Sequence, residues 1–487
     1  MSVTVAALAA VLPGARVLGA EATEVTHITH DSRHAGPGTL FACVPGAVAD
    51  GHDFAGAAIA AGAVALLVER PLAEFDVPQI LVADVRSDMG PAAAELFDQP
   101  SRHLRVVGVT GTNGKTSVVG LIQQIVAHAG LPIRMLGTLT GPRTTPEAPE
   151  LQAIFAEEVA RGGDVVAMEV SSHALALHRV AGTRFAVGVF TNLGQDHLDF
   201  HGDLATYEAA KTELFSSRYI ETAVINVDDP AGRRIADQCD VPVRPYGLAD
   251  VEHLRIDGPV STFTWRGHEI VFRLPGSHNV LNALAAALAC IELGIETVDI
   301  ADALCHADGA RGRFEMVSVG QPFSVVVDYA HKPEALQAVI TACRQIVGER
   351  ADSTPGRVIV VIGCGGDRDP FKRPLMGEIA ARYADHAVLT SDNPRSEDPE
   401  AILDAIEAGV PAERRSSVSR IEDRATAIAR ALDVAQAGDV VLIAGKGDEI
   451  HQIVGAEVLP FDDREVAVAH LLRPLPSSAS SLERDRS

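Results

Sequence analysis

The chain has 487 residues, 47% of them apolar and 22% charged, enough for sizeable cores and about three domains of ~150 residues each. Its formal net charge of −24 argues against a nucleic-acid-binding surface. Any anionic ligand must then be held by local arginines and backbone amides.

In chain order, Thr4 is placed to cap a short helix with Val5, Leu8, Val11 and Leu12 on one face, ended by Pro13-Gly14. After Thr29-His30-Asp31-Ser32-Arg33 come a strand over 39–44, an alanine-rich helix from Gly51 to Gly62, strands at 63–68 and 80–82, and a helix around Met89 to Phe97. Asp98-Gln99-Pro100-Ser101 reads as a linker, which sets a small α/β domain at 1–103. A central domain over 104–313 follows. Its strands at 165–170, 185–190 and 222–227 are almost wholly apolar, the mark of a parallel sheet covered on both faces. Phe263 and Trp265, then Ile270, Phe272 and Leu274, alternate with polar residues about Arg266-Gly267, which predicts an antiparallel hairpin before a long helix. A third domain over 314–473 again alternates, with strands at 324–327, 357–362, 386–390 and 440–444. The tail 474–487, Ser-rich and then charged, is expected to be disordered. Six cysteines without a CxxC pair fit reduced thiols, and no apolar run is long enough to span a bilayer. A cytoplasmic enzyme is the simplest class.

The most informative stretch is Val106 to Ser117. An apolar strand runs into Gly111-Thr112-Asn113-Gly114-Lys115-Thr116-Ser117, and a helical pattern follows. Glycines let backbone amides converge on a phosphate, and a helix N-terminus adds its dipole. Lys115 can reach the outer phosphates and Thr116 can hold Mg²⁺. Only two residues separate the glycines instead of the usual four, which points away from the commonest nucleoside triphosphatases. The alternative is a chance turn.

Glu169, at the carboxyl end of its strand, is placed to hold Mg²⁺; the alternative is an acid that merely complements a helix dipole. His197, Asp199 and His201 alternate after another strand, a loose zinc-like spacing set against the Mg²⁺ that ATP calls for. Lys211, on an amphipathic helix, reads as a surface lysine on sequence physics alone. In the third domain, four polar loops leave the same sheet edge: Asp328-Tyr329-Ala330-His331, Gly363 to Asp369, Ser391-Asp392-Asn393-Pro394-Arg395, and Gly445-Lys446-Gly447-Asp448-Glu449. Any one could be an ordinary turn. Together they describe a pocket in which Arg368, Arg395 and Glu449 suit a zwitterion.

In family order, TGTNGKTS, EVSSH, TNLGQDHLDFH, YEAAK, DYAH and DNPR resemble the Mur ligases, specifically the MurE type, over nearly the whole chain. The resemblance implies an N-terminal UDP-binding domain, a central P-loop ATPase and a Rossmann-like amino-acid-binding domain. It implies an ATP-dependent amide ligase that extends the peptidoglycan stem peptide through an acyl phosphate. Gly111, Thr112, Asn113, Gly114, Lys115, Thr116, Ser117, Asn279, Arg313 and Asp328 would bind ATP. Ser32, Thr144, Thr145, Ser171 and Arg179 would bind UDP-N-acetylmuramoyl-L-alanyl-D-glutamate. Thr116, Glu169 and His197 would serve magnesium, with Lys211 as a carbamate, and Lys115, His197 and Lys211 would be catalytic. The DNPR form implies diaminopimelate as the amino acid, held by Arg368, Asp392, Asn393, Arg395, Gly445 and Glu449. A monomer without nucleic-acid or membrane partners is expected. Asp448 departs from the family, which has His there. That leaves the diaminopimelate isomer open. The rival readings are a folylpolyglutamate-type or lysine-adding ligase, a P-loop kinase, and a regulator that has lost ligase activity.

Overall fold

The computed structural model describes residues 2–46, 48–257, 260–348 and 354–473; the tail expected to be disordered lies outside them. The chain folds as two compact units. One comprises Met1–His253, Phe263–Val271 and Asn279–Ala307; the other comprises Leu254–Thr262, Phe272–His278 and the chain from Asp308 onward.

The first unit includes a five-stranded and a six-stranded sheet, besides the short pair Val3–Thr4 and Glu24–Val25. The five-stranded sheet has strands in the order Arg16–Leu18, Gln79–Leu81, Ala63–Val68, Thr39–Ala42 and His27–Thr29. All neighbours are parallel except the Arg16–Leu18 edge strand. Thr4 caps the first helix as its sequence position suggests, its hydroxyl accepting from the Ala7 amide at 3.3 Å. The helix expected around Met89 begins earlier, at Val85, because Asp84 caps it, and it runs through Pro91 to Leu96. Its buried face, with Leu8, Leu40, Leu67 and Ile80, closes a core that also takes in Ala148.

The larger sheet has six parallel strands, ordered Val243–Tyr246, Ile220–Asn226, Phe185–Phe190, Arg105–Thr110, Val165–Glu169 and Ile133–Leu136. The middle strands bury nearly every side chain, as continuous apolar runs require. Register aligns Glu169 with Val109 and Phe190 with Thr110, so three strands end level. The chain crosses from one side of Arg105–Thr110 to the other between Val165–Glu169 and Phe185–Phe190. The loop after Thr110 therefore opens where the winding reverses, the place at which such sheets bind ligands.

The hairpin expected over 262–274 is present as Val260–Trp265 and His268–Phe272, and the long helix is Ser277–Glu292. The second unit carries a six-stranded sheet: Glu315–Val317, Ser324–Asp328, Val440–Ala444, Val358–Ile362, His386–Leu389 and Val418–Arg420. Only the first strand is antiparallel. Apolar clusters cover both faces. The four polar loops leave one edge because Ser324–Asp328, Val358–Ile362, His386–Leu389 and Val440–Ala444 all run the same way.

Candidate active site

The phosphate loop is braced by the exit of the next strand. Thr112 N–H donates to Asn192 O at 2.8 Å and Asn113 N–H to Asn192 Oδ1 at 3.0 Å. The Thr191 hydroxyl donates to Asn113 O at 2.6 Å. Gly111 sits at φ +148°, and a Cβ there would overlap the Thr191 hydroxyl. Gly111→Ala is therefore expected to raise the ATP dissociation constant by about tenfold, from strain of order 1–3 kcal/mol; calorimetric titration with ATP checks this. The helix Lys115–His128 starts directly after Gly114. Its first-turn amides have no intrahelical acceptor, which is what an anion needs.

Oxygen ligands gather beside that turn. Thr116 Oγ1 donates to Glu169 Oε1 at 3.0 Å, and the Thr138 amide donates to the same oxygen at 2.9 Å. Glu169 is buried and the Thr116 hydroxyl points at it. Hard oxygen donors at the carboxyl end of a parallel strand suit Mg²⁺.

Lys211 corrects the surface reading: it is only 1% exposed. Its Nζ donates to Gly111 O at 2.9 Å and lies 4.5 Å from the centre of the Tyr207 ring. Lys115 Nζ donates to the same carbonyl at 2.9 Å, so two lysines converge on one oxygen. Amphipathic periodicity failed here because the helix Leu204–Thr212 turns Tyr207 and Lys211, four residues apart, inward together. Tyr207 OH meets Thr112 Oγ1 at 3.1 Å, which ties that helix to the phosphate loop.

The spaced histidines do not converge on one point. His197 Nε2 is 3.0 Å from Asp196 Oδ2, whereas His201 Nε2 bonds Ser172 Oγ at 3.0 Å. His173 packs edge-on to His197 at 4.6 Å between ring centres. Burial lowers the His173 and His201 pKa values, and the nearby Lys211 charge adds to this.

The residues implied for the muramoyl substrate form a second cluster in the same unit. Thr145 Oγ1 donates to Glu169 O at 2.9 Å and accepts from the Ser171 amide at 3.1 Å. Thr144 Oγ1 and Thr138 Oγ1 are 3.1 Å apart. Arg179 Nε pairs with Glu147 Oε1 at 2.9 Å, and Arg86 reaches the other Glu147 oxygen at 3.5 Å. Burial lowers the His30 pKa, and the carboxylates of Glu147 and Glu150 nearby oppose that shift.

In the second unit, Asn393 Nδ2 donates to Glu449 Oε2 at 2.8 Å. Asn393 Oδ1 accepts from the Ile453 amide and from Lys446 Nζ, each at 3.0 Å. Lys446, fully buried, also donates to Glu449 at 3.2 Å and stands 3.9 Å from Asp392. Arg395 adopts φ +52°. Its amide donates to Ile453 O at 3.0 Å, and its Nη1 donates to Gly366 O at 2.8 Å. Arg368 Nη1 bonds Asp367 O at 3.2 Å, and a Cβ on Gly445 would lie 2.9 Å from Asp392 Oδ2. Asp328 accepts from the Phe314 and Ala330 amides at 2.7 and 2.8 Å, although burial raises its pKa.

Three family models match the chain. "Mur ligase family, catalytic domain" covers residues 24–96, "Mur ligase middle domain" 109–290, and "Mur ligase, glutamate ligase domain" 312–447. The UDP-N-acetylmuramoyl-L-alanyl-D-glutamate--2,6-diaminopimelate ligase of Geobacillus kaustophilus (strain HTA426) is 45% identical over 483 residues, covering 94% of this chain and 97% of the relative. The chain belongs to the Mur ligase family. The Streptomyces coelicolor relative of the same name is 44% identical, with 91% and 92% covered. A solved structure of a UDP-N-acetylmuramoyl-L-alanyl-D-glutamate--2,6-diaminopimelate ligase superposes with a TM-score of 0.69 at 30% identity, covering 97% and 99% of the two chains. MurF from Thermotoga maritima, solved with ADP, shares the fold at a TM-score of 0.59 and 20% identity, over 92% and 96% of the chains.

This Mur ligase uses residues that sequence reasoning passed over. Asn192 organises the phosphate loop, and Asn282, on the helix Ser277–Glu292, stands beside Gly114. Lys446 and Arg424 brace the third-domain loops. For Lys446 a signal existed, a lysine between two glycines after a fully apolar strand. Arg424 lies inside an ordinary helical pattern and carried none.

Proposed function

We propose that this Mur ligase joins diaminopimelate to UDP-N-acetylmuramoyl-L-alanyl-D-glutamate and hydrolyses ATP to ADP and phosphate in doing so. The observation that carries the reading is 45% identity, across almost the full length, to ligases of that name. The phosphate loop, Glu169 and the third-domain loops are all present and arranged at sheet edges, which favours an active ligase over an inactive regulator. The domains would run 1–103, 104–313 and 314–473.

The D-glutamyl carboxylate attacks the γ-phosphorus of ATP, the bond to the β-phosphate oxygen breaks, and ADP leaves an acyl phosphate behind. Lys115 and the helix-start amides stabilise the charge gathering on the transferred group. The neutral amine of diaminopimelate then adds to the acyl carbon. The tetrahedral intermediate expels phosphate, and the nitrogen loses its proton. Arg395, at the mouth of a loop bracketed by Gly366 and Ile453, clamps the distal carboxylate, and Glu449 faces the ammonium. Ser32, Thr144, Thr145, Ser171 and Arg179 orient the muramoyl dipeptide. Asn279, Arg313 and Asp328 would each also contact ATP.

Thr116 and Glu169 would hold Mg²⁺, with His197 and a carbamoylated Lys211 serving further positions. Bound there, the metal would supply positive charge beside the phosphates. The chemistry belongs to a cytoplasmic monomer.

Phosphate release is the test. It should require both UDP-muramoyl-dipeptide and diaminopimelate, supplied in a panel of meso and LL isomers, lysine and ornithine. Release with lysine alone overturns the amino-acid assignment, and phosphate transfer to a stable product indicates a kinase. Arg395→Ala should raise the KM for diaminopimelate roughly thirtyfold, the cost of an unpaired carboxylate at ~2 kcal/mol. An unmoved KM removes Arg395 from the pocket.

A further inference from the structure

Asp448, in the loop after the strand Val440–Ala444, is built into the surroundings of Arg313. Asp448 Oδ1 lies 3.5 Å from Arg313 Nη2, with both side chains more than four-fifths buried. That oxygen is buried and accepts no hydrogen bond among the described residues. One face of the guanidinium rests on Tyr329, with 4.0 Å from Cζ to the ring centre. The backbones leave no slack. Gly312 sits at φ +66°, and a Cβ on it would overlap the Asp448 amide. The Gly312 carbonyl also accepts from the Tyr329 amide at 2.9 Å. Arg313, Tyr329 and Asp448 thus belong to three segments pressed together.

A guanidinium offers five donors in one plane. Tyr329 fixes that plane, and Asp448 attracts one end of it. The buried Asp328 carboxylate also attracts the guanidinium, and the donors that remain can meet a ligand. A neutral histidine at 448 would supply no charge for this. We propose that Asp448 is a positioning residue that pre-orients Arg313 for the polyphosphate of ATP. The inference rests on the ligase reading, in which Arg313 would contact ATP.

The charged groups facing Asp448 are Arg313 and Arg311 on the preceding segment and Glu449 beside it; Tyr329 lies across Arg313. Burial raises the Asp448 pKa, Arg313 opposes that rise, and Glu449 adds to it. Protonation on acidification removes the attraction. The ATP KM should therefore climb as pH falls, and Asp448→Asn should flatten that climb.

The experiment uses the whole chain, with ATP affinity measured by calorimetry without acceptor and by steady-state kinetics with it. Asp448→Asn, nearly isosteric, should raise the ATP dissociation constant and KM by about tenfold. The turnover number and the diaminopimelate KM should stay within roughly twofold. The effect should vanish in an Arg313→Ala background, because the pair is then already broken. An unmoved ATP affinity overturns the proposal. So does a shift confined to the diaminopimelate KM, or a full effect persisting without Arg313. Should the wild type fail to ligate diaminopimelate, the function reading falls, while calorimetry with ATP alone still decides the role of Asp448.

Discussion

Lys211→Met is expected to cut ligase turnover by roughly 10²–10³-fold while the fold survives. The two halves of that result have separate causes. An ammonium at 1% exposure has given up its hydration. It shares the Gly111 carbonyl with Lys115, so a second positive charge stands close by. An apolar side chain of similar length removes the cost of keeping a charge out of water. Methionine keeps the contact with Tyr207. A loop that holds its shape but loses its activity separates chemistry from architecture. The uncharged amine of a lysine is the form that reacts with CO₂. A carbamate would convert this site from cation to anionic oxygen ligand, at the end of the sheet where Thr116 and Glu169 already present oxygens. Intact-mass measurement under neutral conditions should show one added CO₂ on the wild type, lost in acid and absent from Lys211→Met. Full turnover in the variant would remove Lys211 from the catalytic set.

The parts of the fold that were legible are those in which local pattern and burial agree. The inner apolar strands of both six-stranded sheets and the Thr4 cap follow directly from periodicity and capping chemistry. So does the level alignment of polar loops at one edge, because parallel strands joined by helices must all end on the same side. Three things escaped. The edge strands Ile133–Leu136, Val243–Tyr246, Glu315–Val317 and Val418–Arg420 are only three or four residues long and mix polar with apolar residues, too little for a pattern to register. The hairpin His451–Val454 and Glu457–Pro460 was missed because its residues are half or fully exposed. It matters for the site, since Ile453 O holds the Arg395 amide and the Ile453 amide fixes Asn393. Lys211 was misjudged because the direction a helix faces depends on its neighbours. Resemblance singled that lysine out, where hydropathy could not. Side-chain pairings such as Asn393 with Lys446 join residues 53 positions apart, a separation at which no local rule operates.

The largest stability effect is expected at Arg424. Its guanidinium is fully buried and meets Asp463, equally buried, through Nε at 2.7 Å and Nη2 at 2.6 Å. The same group donates to Ser391 O at 3.3 Å and Ala444 O at 3.0 Å. Those carbonyls belong to the exits of two neighbouring segments, one leading to Asp392-Asn393 and the other to Gly445-Lys446. Arg424→Met leaves the Asp463 carboxylate buried without its partner and should cost about 3–5 kcal/mol, read as a fall in the urea midpoint of the transition that reports this unit. Asp463→Leu in the same chain removes the stranded charge, so the double variant should recover most of that loss. Recovery of stability need not restore the pocket. The Ser391 and Ala444 carbonyls would still lack their donor, and the loops carrying Asn393 and Glu449 would be less firmly set. The double variant should therefore keep a diaminopimelate KM raised by roughly tenfold, the penalty for a loosened binding shell. Stability and KM recovering together would mean that Arg424 only closes the core and has no part in shaping the loops above it.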